Sequence, residues 1–229
     1  MHHPTRIPVD VQFTQISFGN RHILLRSIDK QTYGAGLNSN FELGLGYTEQ
    51  QDRYLTPVYM HTLDNHSIKK VIAGSFSAAI NTDDSILIWG TGEFGVIKQP
   101  QMLYMDKVRF ADCQVSKYQS CNLQASAIAL DSTGKVYTWG SNGFGQLGHG
   151  DDRTRKLPTM VLPLKRKFVK QVAIGDGFMI MLGKDFLVNG SQIENTQESV
   201  ELIKESDQKF ECQRQLNYGS EKQGDESFT

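Results

Sequence analysis

Lys135-Val-Tyr-Thr-Trp-Gly-Ser-Asn-Gly-Phe-Gly-Gln-Leu-Gly-His-Gly150 is the stretch whose reading decides the fold. Its first residues read as a β-strand. Alternation sends Val136 and Thr138 to one face and Tyr137 and Trp139 to the other, so both rings can be buried together. Gly140 ends the strand. Five glycines between positions 140 and 150 then force a tight, wandering path, which suits a residue with no Cβ clash at positive φ. Upstream, Ala127-Ile-Ala-Leu130 is a second strand. Asp131-Ser-Thr-Gly134 between them is a hairpin turn.

The pattern recurs. Thr32-Tyr-Gly-Ala-Gly-Leu-Asn38 aligns with Val136-Tyr-Thr-Trp-Gly-Ser-Asn142, and both continue to Leu-Gly at the same offset, Leu43-Gly44 and Leu147-Gly148. Leu87-Ile-Trp-Gly90 is a third copy and Leu187-Val-Asn-Gly190 a decayed fourth. The anchor glycines 36, 90, 140 and 190 are separated by 54, 50 and 50 residues. A near-constant period of this length marks a repeat architecture.

The units follow in order. Residues 11–58 form the first, with strands at Val11–Phe18, Ile23–Leu25 and from Thr32. Residues 68–101 form the second, with Lys70–Gly74, Ala78–Ile80 and Ile86–Trp89; Val96-Ile-Lys98 stands where the third unit has Gln146-Leu-Gly148, so a glycine pair is lost. Residues 113–161 form the third, where Gln124 occupies the place of Gly19 and Gly74. Residues 169–190 open a fourth that breaks off after Gly190. The repeat region thus covers 1–190. Residues 191–229 change character, with nine Asp or Glu against four Lys or Arg. Asn195-Thr-Gln-Glu198 fits a helix-capping box, and Ser199–Lys204 reads equally as the start of a helix or as a strand. The remainder has the composition of a polar tail.

Each unit holds short strands too small to bury a face alone. Side-by-side stacking of such sheets buries both faces and leaves short edges. The sequence therefore predicts an all-β chain, a partial β-propeller of about four blades built from repeats of about 50 residues, with room for one C-terminal helix. Tyr33, Trp89, Tyr137 and Trp139 are expected to wedge between blades. Four blades leave open faces. A longer chain, a second copy or another protein, or the tail would each seal them.

Composition narrows the function. The chain has 229 residues, 38% of them hydrophobic, with 21 glycines, six prolines and a net charge of −1. That charge favours neither nucleic acid nor membrane as partner, and no run of about 18 apolar residues occurs. The N-terminus lacks the apolar run of a signal peptide. The odd cysteine count (113, 121, 212) without metal spacing fits free thiols in a reducing compartment, cytoplasmic or nuclear. Gly90-Thr-Gly-Glu-Phe-Gly95 and Gly143-Phe-Gly-Gln-Leu-Gly148 fit Gly-x-Gly-x-x-Gly, yet neither opens a helix, so no cofactor is expected. The histidines lack zinc spacing. Asp83-Asp84 and Asp151-Asp152 lie in turns, where Asp bonds backbone amides. No Ser, Cys or Thr has a nucleophile's context, and no catalytic residue, metal or small-molecule substrate is expected. One dense basic stretch remains. Arg153, Arg155, Lys156, Lys165, Arg166 and Lys167 are candidates for contact with an acidic protein partner, nucleic acid being the weaker fit.

The third unit, with Pro158 and Val161 following Asp151, resembles the repeat of the regulator of chromosome condensation. Gly19-Asn-Arg-His22-Ile-Leu-Leu is similar to that family's Gly-x-x-His turn, whose histidine is replaced at Ser77, Ala127 and Phe178. The resemblance covers about residues 11–190. It implies a propeller, usually seven-bladed, and a non-catalytic protein-interaction scaffold or regulatory module. Relatives are attached to kinases, ubiquitin ligases or ciliary and cytoskeletal proteins. The founding member's guanine-nucleotide exchange on a Ran-like small GTPase is the alternative function.

Overall fold

The computed structural model describes residues 10–48, 53–117, 125–175, 177–183, 187–189 and 192–194; for the last two segments the description is of the backbone. The tail with its candidate helix, Gln124, Cys121 and Cys212 lie outside the described residues.

Four antiparallel sheets follow one another, each a four-strand meander in chain order. The first comprises β1 (Phe13–Phe18), β2 (His22–Ser27), β3 (Thr32–Leu37) and β4 (Arg53–Tyr59). The second comprises β5 (Ile68–Ala73), β6 (Ser77–Asn81), β7 (Ile86–Gly92) and β8 (Gly95–Leu103). The third is β9 (Phe110–Val115), β10 (Ser126–Asp131), β11 (Val136–Gly140) and β12 (Arg155–Met160). The fourth is β13 (Val169–Ile174), β14 (Met179–Gly183), β15 (Leu187–Asn189) and β16 (Gln192–Glu194). The architecture is the expected partial propeller, and the fourth sheet continues past Gly190 into β16.

The core lies between sheets. Each blade has a leading face, toward the preceding blade, and a trailing face toward the next. Cross-strand pairing fixes which residues share a face, and a slip of one residue would exchange the faces. In blade two, Val71 pairs with Ala79 and Ala79 with Leu87, and this row meets Leu24, Leu43 and Met60 of blade one. Its other face, with Ile72, Ile80, Ile86 and Ile88, meets Cys113, Ala129, Tyr137 and Trp139 of blade three. Ile128, Leu130 and Val136 then meet Val172, Met179 and Met181 of blade four. Trp89 and Trp139 are fully buried. Each such ring is worth about 2–3 kcal/mol on transfer area. Three of the four expected wedges therefore stand between blades. Tyr33 is the exception. It lies on the leading face of blade one, edge-on to Phe13 and tilted against Tyr59.

The hairpin turns repeat one device. The first turn residue offers a side-chain oxygen to backbone N–H groups: Ser27 to Gln31, Asn81 to Asp83 and Ser85, Asp131 to Thr133 and Lys135. Lys30, Asp84 and Gly134 then take positive φ of 65°, 59° and 79°. This is why Asp83-Asp84 is a turn and not an acid pair.

Two details of the alignment differ from the sequence reading. Gly19, Gly74 and Gly175 donate their N–H groups to the carbonyls of His22, Phe76 and Phe178, and Ser116 donates to Ser126 in the same way. Ser116, not Gln124, therefore occupies the glycine's place, and the segment between β9 and β10 is an insertion. The residues at His22's position are then Phe76 and Ser126. Ser77 and Ala127, the sequence's choices, are one residue further on and face the other side of the sheet. Phe178 keeps its place.

Candidate functional site

The glycine-rich segment after β3 is held by one buried amide. Asn38 accepts the Leu43 N–H at Oδ1 (2.9 Å) and donates from Nδ2 to the Tyr47 carbonyl (3.0 Å). Asn142 does the same after β11, bonding the Leu147 N–H (2.9 Å) and the Asp151 carbonyl (2.7 Å). Two residues into each loop's turn, Glu42 and Gln146 accept the N–H groups of Asn40 and Phe144. The sequence alignment paired Asn38 with Asn142 but gave no sign that these amides organise the loops.

The blade-one loop reaches across to blade two. The Glu42 carbonyl accepts Trp89 Nε1–H at 2.8 Å and Ser77 Oγ–H at 2.6 Å. His22 Nε2 lies 2.8 Å from Ser77 Oγ. The hydroxyl proton is already given to Glu42, so His22 carries its proton on Nε2 and donates it to the Ser77 oxygen. Burial holds the His22 pKa down, to about 4, and pushes the Glu42 carboxyl up. The cluster thus has a histidine beside a serine hydroxyl but is sealed inside the blade-one/blade-two joint. Its role is to staple two sheets.

Blade two has no such loop. Gly92 pairs with Gly95 in a tight β7–β8 hairpin, and Phe94 packs edge-on to Phe76. Among the described residues no carbonyl stands where Glu42 stands, and Trp139 Nε1 is buried without a partner. The lost glycine pair seen in the sequence has this physical consequence one blade further on.

The six basic candidates are not one patch. Arg155 lies opposite Gly140 at one end of β11, and Met160 lies opposite Tyr137 at the other. The length of β12, about 20 Å of extended chain, separates Arg153, Arg155 and Lys156 from Lys165, Arg166 and Lys167. Arg155 is committed to Asp151. Its two terminal nitrogens reach Oδ1 and Oδ2 at 2.9 and 3.0 Å, and this fork, with the Arg153 N–H, holds the Asp151 carboxyl down to about 2. Arg153 and Lys156 are exposed on the glycine-loop rim. Lys165, Arg166 and Lys167 are exposed on the turn rim, flanked by Leu162 (67% exposed) and Phe168 (56%). Phe168 lies against Gly134, where a Cβ would come within 2.6 Å of its ring.

Among the described residues no group of three His, Cys, Asp or Glu side chains is placed to hold a metal ion. Cys113 is buried, and burial pushes its thiol pKa up, which leaves it a packing residue. No described helix is long and apolar enough to cross a membrane.

Residues 133–182 match the family described as the regulator of chromosome condensation (RCC1) repeat. The chain is built of RCC1-type repeats. The matched segment runs from the β10–β11 turn through β14, so the sequence repeat joins the second half of one blade to the first half of the next. Relatives include the human E3 ubiquitin-protein ligase HERC2, 31% identical over 167 residues, or 70% of this chain and 3% of the ligase. The ultraviolet-B receptor UVR8 of Arabidopsis thaliana is 28% identical over 169 residues, 72% of this chain and 38% of the receptor. The chain therefore spans a minor part of either relative. Among solved structures, human WBSCR16 superposes with a TM-score of 0.63 at 19% identity over 76% of this chain and 45% of that one. Yeast RCC1 (Prp20) bound to Kap60 gives 0.63 at 18% identity over 81% and 44%. At these identities the likeness is one of fold.

Proposed function

We propose that this RCC1-type repeat module is a non-catalytic protein-binding scaffold, and that its contact is the turn-rim knob of Lys165, Arg166, Lys167, Leu162 and Phe168. The exposure of two large apolar side chains beside three cations carries the reading. Such a mixture suits an acidic protein surface with an apolar centre. The buried polar groups elsewhere, His22, Ser77 and Trp89 among them, are spent on joining blades. Support of a general kind comes from the fold's neighbours: yeast Prp20 is solved with Kap60, and Prp20p of Saccharomyces cerevisiae, TM-score 0.61 at 15% identity over 90% of this chain and 48% of that one, is described with binding to Gsp1p and histones.

The test is affinity capture with the wild-type chain, a Lys165→Glu/Arg166→Glu/Lys167→Glu variant and an Arg153→Glu/Lys156→Glu variant. Loss of a captured protein from the first variant alone supports the turn rim. Equal capture by all three overturns it. The same preparations are assayed for release of labelled guanine nucleotide from a Ran-like GTPase. Acceleration there would replace the scaffold reading with nucleotide exchange.

A further inference from the structure

The two loops that carry an asparagine clamp differ at the residue beside it. Asn38 is followed by Ser39 and Asn142 by Gly143. Asn-Gly is the dipeptide most open to loss of the side-chain amide, because the backbone nitrogen that attacks the amide carbon has no Cβ next to it. At Gly143 the space is open as well: an added Cβ would meet nothing within 4 Å. The clamp opposes the reaction. Asn142 is fully buried, its Oδ1 accepts the Leu147 N–H, and its Nδ2 donates to the Asp151 carbonyl. Ring closure expels Nδ2, so it cannot proceed while the Asp151 bond is kept. Asn189–Gly190 shares the dipeptide, but its side chain lies outside the described residues.

What stands opposite the amide decides the consequence. Asn142 Nδ2 lies 2.7 Å from the Asp151 carbonyl and 3.3 Å from Asp151 Oδ1. The Arg155 fork keeps that carboxylate ionised. An aspartate at position 142 sets a second carboxylate oxygen where Nδ2 now stands. It then faces two oxygens of Asp151 with no proton to offer either. Burial and the neighbouring charge both oppose it. In blade one the corresponding amide donates to the Tyr47 carbonyl, with no carboxylate bonded to it among the described residues.

We propose that Asn142–Gly143 is a deamidation site of the folded protein, gated by local opening of the blade-three glycine loop, and that its conversion to aspartate or isoaspartate releases that loop irreversibly. The step balances with water alone. The Gly143 nitrogen gives its proton to solvent and bonds to Asn142 Cγ. The Cγ–Nδ2 bond breaks, and Nδ2 takes up a proton and leaves as ammonia. Water then adds to one carbonyl of the succinimide ring, and the bond from that carbonyl to nitrogen breaks. Opening at the former side-chain carbonyl gives aspartate in a normal chain. Opening at the former backbone carbonyl leaves the chain running through the side chain, as isoaspartate. The site lies on the glycine-loop rim and stands apart from the turn-rim partner.

The test is peptide mapping by mass spectrometry of the 229-residue chain held at mildly alkaline pH in native buffer. Tryptic peptide 136–153 carries Asn142, and peptide 31–53 carries Asn38. Asn142 is expected to convert several-fold faster than Asn38. Gly143→Ala, where a side chain has room, keeps the fold and slows conversion several-fold. Arg155→Gln frees Asp151 from its fork, so the loop opens more often and conversion speeds up several-fold. The converted fraction, separated by its added negative charge, is expected to be cut by native-state trypsin at Arg153 and Arg155 several-fold faster than the rest. Conversion at Asn142 no faster than at Asn38 overturns the site, and the wild-type chain alone decides this if a variant fails to fold. A folded Arg155→Gln chain with an unchanged rate overturns the gate. Equal cleavage of converted and unconverted chains overturns release of the loop.

Discussion

Trp89 and Trp139 occupy the same position in successive blades, and the structure gives them opposite hydrogen-bonding states. Replacing either by Phe removes the indole N–H and the same ring volume, so the cavity penalty is shared to a first approximation. The difference lies in the nitrogen. Trp89→Phe breaks the 2.8 Å bond to the Glu42 carbonyl, a loss of about 1 kcal/mol. Trp139→Phe deletes a buried donor that has no acceptor, which relieves a desolvation cost of about 1–3 kcal/mol. Trp139→Phe should therefore be the milder variant by about 2–4 kcal/mol, the sum of those two effects. For a domain of this size that is about 4 °C or more in Tm. Urea unfolding of the two variants, followed by the fluorescence of the remaining tryptophan, measures the difference. Equal losses, or a greater loss for Trp139→Phe, would refute the claim that blade two's missing loop leaves this donor orphaned.

Further outcomes follow from the joints and the loops. His22 is held neutral with a pKa near 4 against an ordinary 6.5. The folded pKa is depressed, so the unfolded chain takes up the proton first; the contribution is complete above 6.5 and is lost as pH falls from there toward 4. Stability at pH 5 should be about 2 kcal/mol below that at neutral pH through this residue. His22→Phe, the residue found at the equivalent Phe76, should flatten that part of the profile, and an unchanged slope would count against it. Gly140→Ala puts a Cβ 2.1 Å from the Ala125 carbonyl at a φ of +102°, whereas a Cβ at Gly143 meets nothing within 4 Å. The first should cost roughly 2–4 kcal/mol and the second less than about 0.5, which thermal melts will separate. Gln15→Ala removes both bonds to Val71 and should cost about 1–2 kcal/mol in chemical denaturation.

The period, the blades and the wedge positions of Trp89, Tyr137 and Trp139 were legible because a strand's alternation and a glycine's freedom are local properties. The errors came where a joint depends on a neighbouring blade. Tyr33 aligns with Tyr137 in sequence, yet whether it wedges depends on a blade standing before it. Ser116 looks nothing like Gly19, Gly74 or Gly175; what they share is a backbone N–H aimed at the start of the next strand. Counting residues across the β9–β10 insertion could not find it. The two-residue gap between Gly74 and Phe76 likewise shifted the histidine alignment by one and turned Ser77 to the wrong face. The basic stretch is continuous in sequence, but β12 runs through its middle and sends its halves to opposite rims.

These misreadings share a cause, and it bears on how the repeat changes over time. A blade's loop is read by the next blade: Glu42 serves Trp89, and the shortened Gly92–Gly95 hairpin deprives Trp139. A repeat that loses its loop therefore keeps its own fold and shifts the cost to its successor. The blade-two/blade-three joint compensates by other means, with four isoleucines of blade two in its core and the Lys70–Asp112 ion pair at its edge. Lys70 and Asp112 sit at the Gln15 position of their blades, so a charge pair replaces an amide-to-backbone clamp. Joints in one chain can thus diverge in chemistry while the stacking geometry is kept.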